Sequence, residues 1–206
     1  MTRSRGNPYA RPDARTRAAK AEGYPARSVF KLREIDERFR LLSPGQRVLD
    51  LGAAPGSWTL YASEKVGKKG RVVAIDLKEI AGAFAENVTV LQGDVLAPDP
   101  PPAFLEHAPY AVVLSDMAPN TTGSKTTDQA RSFELFMKAL SVATRFGAEK
   151  SSFVGKIFMS GDFPEAKKAV TELYEECRVL KPEGTRSNST EIFVIGVRKK
   201  TGPAGP

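Results

Sequence analysis

One cysteine and one histidine are all that the 206 residues provide in thiol or imidazole groups. Cys177 has no partner for an internal disulfide and cannot build a cysteine metal cluster, so no metal site is expected. Its neighbours Leu173, Tyr174, Val179 and Leu180 make it a buried or half-buried structural thiol. His107 stands in a loop-like stretch two residues before Pro109 and is assigned no chemistry. Apolar runs long enough to cross a bilayer are missing, and no apolar core follows the charged N-terminus as a secretory signal requires. The expectation is a soluble, cytoplasmic protein with no membrane partner.

An even spread of charge is also missing. The formal net charge is +7, but residues 1–40 hold eleven Lys/Arg against five Asp/Glu, a net of +6, whereas the remainder holds twenty against nineteen. Basic charge gathered at one end is the electrostatic footprint of a nucleic-acid partner. Residues 1–23, with Gly6, Pro8, Pro12 and many arginines, read as a flexible basic arm. The whole chain is 41% hydrophobic, enough for one full core over residues 24–200, and 201–206 reads as a frayed tail.

Within that core, short apolar runs alternate with helical patterns. Strands are expected at Arg47–Leu51, Arg71–Ile75, Val88–Leu91, Tyr110–Ser115, Ser152–Phe158, Cys177–Leu180 and Ile192–Arg198. Helices are expected after Ser28 as N-cap, over about Trp58–Lys65, from a cap at Thr127 or Asp128, and over Pro164–Tyr174. Pro98–Pro102 is a proline-rich connector, and Thr121–Thr127 reads as a mobile loop. The pattern predicts an α/β, Rossmann-like fold with a doubly wound, mostly parallel seven-stranded sheet and helices on both faces.

The stretch R-V-L-D-L-G-A-A-P-G-S-W at Arg47–Trp58 passes from strand through glycine turn into helix. Such a turn forms a ligand cradle at the strand's carboxyl end, where a Cβ at Gly52 or Gly56 would hold a ligand off the backbone. A dinucleotide turn places a glycine against the pyrophosphate; Ala54 stands there instead, and Pro55 removes an amide donor. S-adenosylmethionine carries adenosine without phosphate and tolerates both changes. Asp76, Asp94 and Asp116 end three successive strands beside the turn. The first is placed for ribose hydroxyls and the second for an adenine amino group; any one alone would pass for a turn residue. The cofactor-binding set expected is Gly52, Ala53, Pro55, Gly56, Trp58, Asp76, Asp94 and Asp116.

Six motifs in order carry a resemblance: S-V-F-K-L at Ser28–Leu32, the glycine turn, L-Q-G-D ending at Asp94, S-D-M-A-P-N at Ser115–Asn120, V-G-K-I-F at Val154–Phe158 and S-T-E-I-F at Ser189–Phe193. Together the six resemble the FtsJ/RrmJ family of RNA ribose 2′-O-methyltransferases, from about Arg27 to Arg198. The resemblance implies S-adenosylmethionine as cofactor and a catalytic Lys-Asp-Lys-Glu tetrad at Lys31, Asp116, Lys156 and Glu191. It implies that Lys156 activates or positions the ribose hydroxyl, with Lys31 helping to keep it neutral and the two carboxylates orienting the pair. Lys31, in the first turn of its helix, faces the positive end of the helix dipole, where stability alone prefers Glu.

A compact chain of this kind looks like the bacterial members that methylate a uridine of large-subunit (23S) ribosomal RNA, acting as a monomer. Methylation of tRNA ribose is the alternative within the class. A non-catalytic RNA-binding factor of ribosome assembly is the alternative outside it, and would be expected to have lost part of the tetrad. A small-molecule methyltransferase would lack the basic arm. Two departures stand out: Ser57, where many relatives carry glycine, and Met159–Asp162, which differs from the family's usual run.

Overall fold

The computed structural model describes residues 13–95, 97, 101–183 and 190–201. Seven strands form one sheet in the order β3-β2-β1-β4-β5-β7-β6, where β1 is Arg47–Leu51, β2 Arg71–Asp76, β3 Val88–Gln92, β4 Tyr110–Ser115, β5 Gly147–Phe158, β6 Tyr174–Leu180 and β7 Glu191–Lys199. β1 to β5 pair in parallel, and β7 runs antiparallel between β5 and β6. The doubly wound, mostly parallel sheet expected from the sequence is therefore present.

Side-chain alternation divides the core between the two faces. Val48, Val112, Leu114, Val154 and Phe193 pack with α1 (Ala14–Ala21), α2 (Val29–Phe39) and α3 (Ser57–Val66). Their neighbours Leu49, Val113, Phe153 and Ile192 pack on the other face with α4 (Pro102–Glu106), α5 (Lys125–Phe146) and α6 (Phe163–Leu173). The strand order reverses between β1 and β4, which opens a crevice at their carboxyl ends.

Several expectations need correction. The basic arm does not stay unstructured through Gly23: Asp13 caps α1 by accepting the Thr16 N–H at 2.7 Å, and Ala19 is fully buried in the core. Residues 1–12 lie outside the described residues, as do 98–100 of the proline connector and 202–206 of the tail. Ser28 takes a helical conformation and makes no side-chain capping bond. Ser124, rather than Thr127 or Asp128, caps α5; the Asp128 carboxylate instead accepts the Thr122 N–H and hydroxyl at 2.8 and 2.9 Å, tying down the loop expected to be mobile. β5 begins at Gly147, five residues earlier than its apolar run, because Tyr110 of β4 pairs with Gly147 across a bulge.

Candidate active site

Four strand ends and one helix start meet at the carboxyl edge of the sheet. Gly52 leaves β1, Asp76 ends β2, Asp94 follows β3 and Asp116 follows β4. These four residues, with Met117 and Asn120, line a cavity of about 410 Å³. Its carboxylates suit a cofactor carrying a sulfonium and an ammonium, and its size falls in the ~300–1,000 Å³ range of small-molecule sites. The Asp76 carboxylate accepts the Ala54 N–H at 2.9 Å and the Lys78 N–H at 2.8 Å, one per oxygen. Each oxygen keeps a lone pair for a ligand hydroxyl.

The rest of the glycine turn does other work. At Gly52 (φ +72°) an added Cβ would lie 2.6 Å from Met117 Cγ, and at Gly56 (φ +101°) 2.8 Å from Phe84 Cζ. Both glycines make room for the protein's own side chains, and Gly52 also lines the cavity. Ala53 packs with Ala74 and Ile80. Pro55 lines a separate hollow with Tyr24 and Phe84. Trp58 is 2% exposed, its Nε1–H donated to the Ser28 carbonyl at 2.9 Å and its ring against Phe193. Of the cofactor-binding residues expected from sequence, Gly52, Asp76, Asp94 and Asp116 line the cavity, and Ala53, Pro55, Gly56 and Trp58 make these packing contacts in the same turn.

Beneath the turn, Asp50 is fully buried in β1. One oxygen accepts the Thr59 hydroxyl at 2.7 Å, and the other has no hydrogen-bond partner among the described residues. Burial pushes this carboxyl up to about 7 against the Thr59 hydrogen bond, with repulsion from Asp116 and Asp76 adding to the rise. A folded-state value above the unfolded one makes the fold lose stability as pH climbs from about 4 to about 7, after which the loss stays constant. Asp50→Asn keeps an acceptor for Thr59 and removes the ionisation. Its melting temperature is expected to exceed that of the parent at pH 8 and to match it more closely at pH 4.5; equal offsets at both would refute the linkage.

The tetrad assembles beside the cavity. Lys156 shares its sheet face with Val154, which aims it toward α2, and it pairs across the sheet with Phe193, two residues beyond Glu191. Its Nζ donates to the Asp116 carbonyl at 2.6 Å and lies 2.8 Å from Asp116 Oδ1 and 3.6 Å from Glu191 Oε1. Lys31, on the first turn of α2, reaches Glu191 Oε2 at 3.0 Å. The lysine side chains are only 11% (Lys31) and 5% (Lys156) exposed. Glu191 therefore pairs more closely with Lys31 than with Lys156, leaving Asp116 as the main counter-charge of Lys156.

A family model described as FtsJ-like methyltransferase matches residues 24–199. The chain belongs to this family. "Ribosomal RNA large subunit methyltransferase E" of Sorangium cellulosum is 60% identical over 194 residues, covering 94% of this chain and 91% of that protein. The protein of the same name from Bdellovibrio bacteriovorus is 46% identical, covering 89% and 95%. A crystal structure from Plasmodium falciparum, of a protein named as a ribosomal RNA methyltransferase, superposes with a TM-score of 0.75 at 22% identity, over 85% of this chain and 98% of that one. At that identity the likeness speaks for the fold alone.

All four tetrad positions and the three strand-end aspartates of this FtsJ-like chain thus come together at one edge. Lys78 and the Met117–Asn120 segment also line the cavity but were given no role from sequence. Their adjacency to Asp76 and Asp116 was the available signal.

Proposed function

We propose that this FtsJ-like methyltransferase transfers a methyl group from S-adenosylmethionine to a ribose 2′-hydroxyl of large-subunit ribosomal RNA, at a uridine. One observation carries the reading: Asp116 lines the cofactor-sized cavity and also holds Lys156, so the cavity and the tetrad share a wall. The names of the relatives support ribosomal RNA of the large subunit as the acceptor.

When bound, the cofactor supplies a methyl carbon activated by an adjacent sulfonium. Asp76 would hold its ribose hydroxyls and Asp94 its adenine amino group. Lys156 Nζ orients the RNA hydroxyl and receives its proton once one of its own has left. The lysine nitrogen donates one hydrogen to the Asp116 carbonyl and stands in ion-pair range of the Asp116 and Glu191 carboxylates. Lys31 draws Glu191 toward itself, which leaves Asp116 as the closer carboxylate to Lys156. Asp116 and Glu191 fix both lysines in place, so positioning accounts for much of the rate.

Transfer of labelled methyl to isolated large-subunit RNA, assembled large subunits and tRNA tests the acceptor. Label entering the ribosomal substrates supports the proposal; label entering only tRNA defeats it.

The terminal segment gives a second expected result. Residues 1–12 carry Arg3, Arg5 and Arg11 and no acid. Their deletion should weaken RNA binding and flatten the slope of log affinity against log salt by about 2–3, from ~0.7–0.9 per phosphate contact, with cofactor affinity unchanged. Identical slopes would show that this segment does not touch phosphate. Deletion through Glu22 should in addition lower the melting temperature, because α1 buries Ala19 in the core.

A further inference from the structure

α2 carries Lys31 into the tetrad, yet its start has no side-chain cap of its own. Ser57, the first residue of α3, provides one from outside. Its Oγ accepts the Ala26 N–H at 2.8 Å and donates to the Ala26 carbonyl at 3.1 Å. That carbonyl also takes the N–H of Val29, the first residue of α2, at 3.4 Å. Ser57 is 1% exposed, so water cannot readily replace these bonds.

The next residue extends the grip. The Ser28 carbonyl accepts both the Lys31 N–H at 3.0 Å and the Trp58 indole N–H at 2.9 Å. The Trp58 ring lies 5.7 Å from that of Phe193, over which Lys31 Nζ sits at 5.9 Å. Two consecutive residues of α3 thus hold Ala26 and Ser28, two of the three residues that lead into α2. Their other end is continuous with the glycine turn, where Gly52 lines the cavity and Ala54 is held by Asp76.

We propose that Ser57 is a positioning residue that sets the place of Lys31 by clamping Ala26 at the entrance of α2, joining the cofactor turn to the tetrad. The inference rests on the reading of Lys31 as part of the reacting centre. Removing the hydroxyl frees the Ala26 N–H, leaves the Ala26 carbonyl with only the long Val29 bond and lets the first turn of α2 move, while the cavity wall made by Gly52, Asp76 and Asp94 stays in place. Displacements on the order of 1 Å at a reacting centre lower rates by about 10²-fold, and a partial shift lowers them less.

Single-turnover methylation of saturating RNA, run as a double-mutant cycle, is the test. Ser57→Ala and Ser57→Gly are each expected to slow transfer about tenfold, with cofactor Kd within about twofold of the parent. Trp58→Phe keeps the ring on Phe193 and loses only the indole N–H, so it should slow transfer in the same direction but less. Lys31→Ala should slow the parent strongly, and Ser57→Ala should add little to Lys31→Ala, because the hydroxyl acts through that lysine. Additive losses, or parent-like rates for both Ser57 variants, would overturn the clamp. Lys31→Ala at the parent rate would instead remove the role of Lys31, and the clamp's purpose with it.

Discussion

Lys156→Ala is expected to slow single-turnover RNA methylation by about 10³-fold, near the middle of the range for a lost general acid–base group. The side chain is nearly buried, with two carboxylates and a carbonyl oxygen around its nitrogen. Truncation therefore leaves Asp116 without its counter-ion, whereas Glu191 keeps Lys31 at 3.0 Å. Breaking a fully buried pair costs about 3–5 kcal/mol. The loss here should be smaller, because Asp116 and Glu191 side chains are 19% and 21% exposed and water can reach them. The melting temperature should fall while the fold and cofactor binding persist. Lys156→Arg should be as inactive: guanidinium does not give up its proton at working pH, and its planar fork is larger than the site occupied by an ammonium. Near-parent turnover by Lys156→Arg would withdraw the proton-accepting role and leave Lys156 a fixed positive charge.

Asp76→Ala is expected to raise the dissociation constant for S-adenosylmethionine by about 10–100-fold, as charge-assisted hydrogen bonds to ribose are lost. The same carboxylate holds the Ala54 and Lys78 amides, so the variant also loosens the turn. S-adenosylhomocysteine shares the adenosyl group but lacks the sulfonium charge, and its binding should weaken in parallel. Calorimetry on both ligands is the check. Weakening confined to S-adenosylmethionine would mean that Asp76 acts through its charge on the sulfonium rather than through ribose.

The strands were legible because the parallel sheet is buried on both faces, so runs such as Val72–Ile75 and Val112–Leu114 are apolar at consecutive positions. The glycine turn and the strand-end acids were legible because each directly follows an apolar run, which set the ligand cradle at the carboxyl ends of the strands. The tetrad was legible only through the family resemblance: Lys31 and Glu191 stand 160 positions apart, and no local pattern links them. The packing of Trp58 on Phe193 was not legible, since the two residues lie far apart along the chain and no local pattern links them. α1 was missed because its sequence A-R-T-R-A-A-K-A has little apolar surface; its order comes from the Asp13 cap and the burial of Ala19. Ser57 appeared only as a departure from relatives, because its partner Ala26 lies 31 positions away.

The chemistry of the product tests the central claim most directly. A ribose 2′-O-methyl group blocks alkaline cleavage of the adjacent phosphodiester, whereas a methylated base does not. Large-subunit ribosomal RNA labelled by the purified protein and methyl-tritiated S-adenosylmethionine should, after alkaline hydrolysis, retain its label in an alkali-stable dinucleotide whose first nucleoside is 2′-O-methyluridine. Lys156→Ala protein should leave that dinucleotide unlabelled. Label released wholly in mononucleotides, marking a methylated base, would contradict the account.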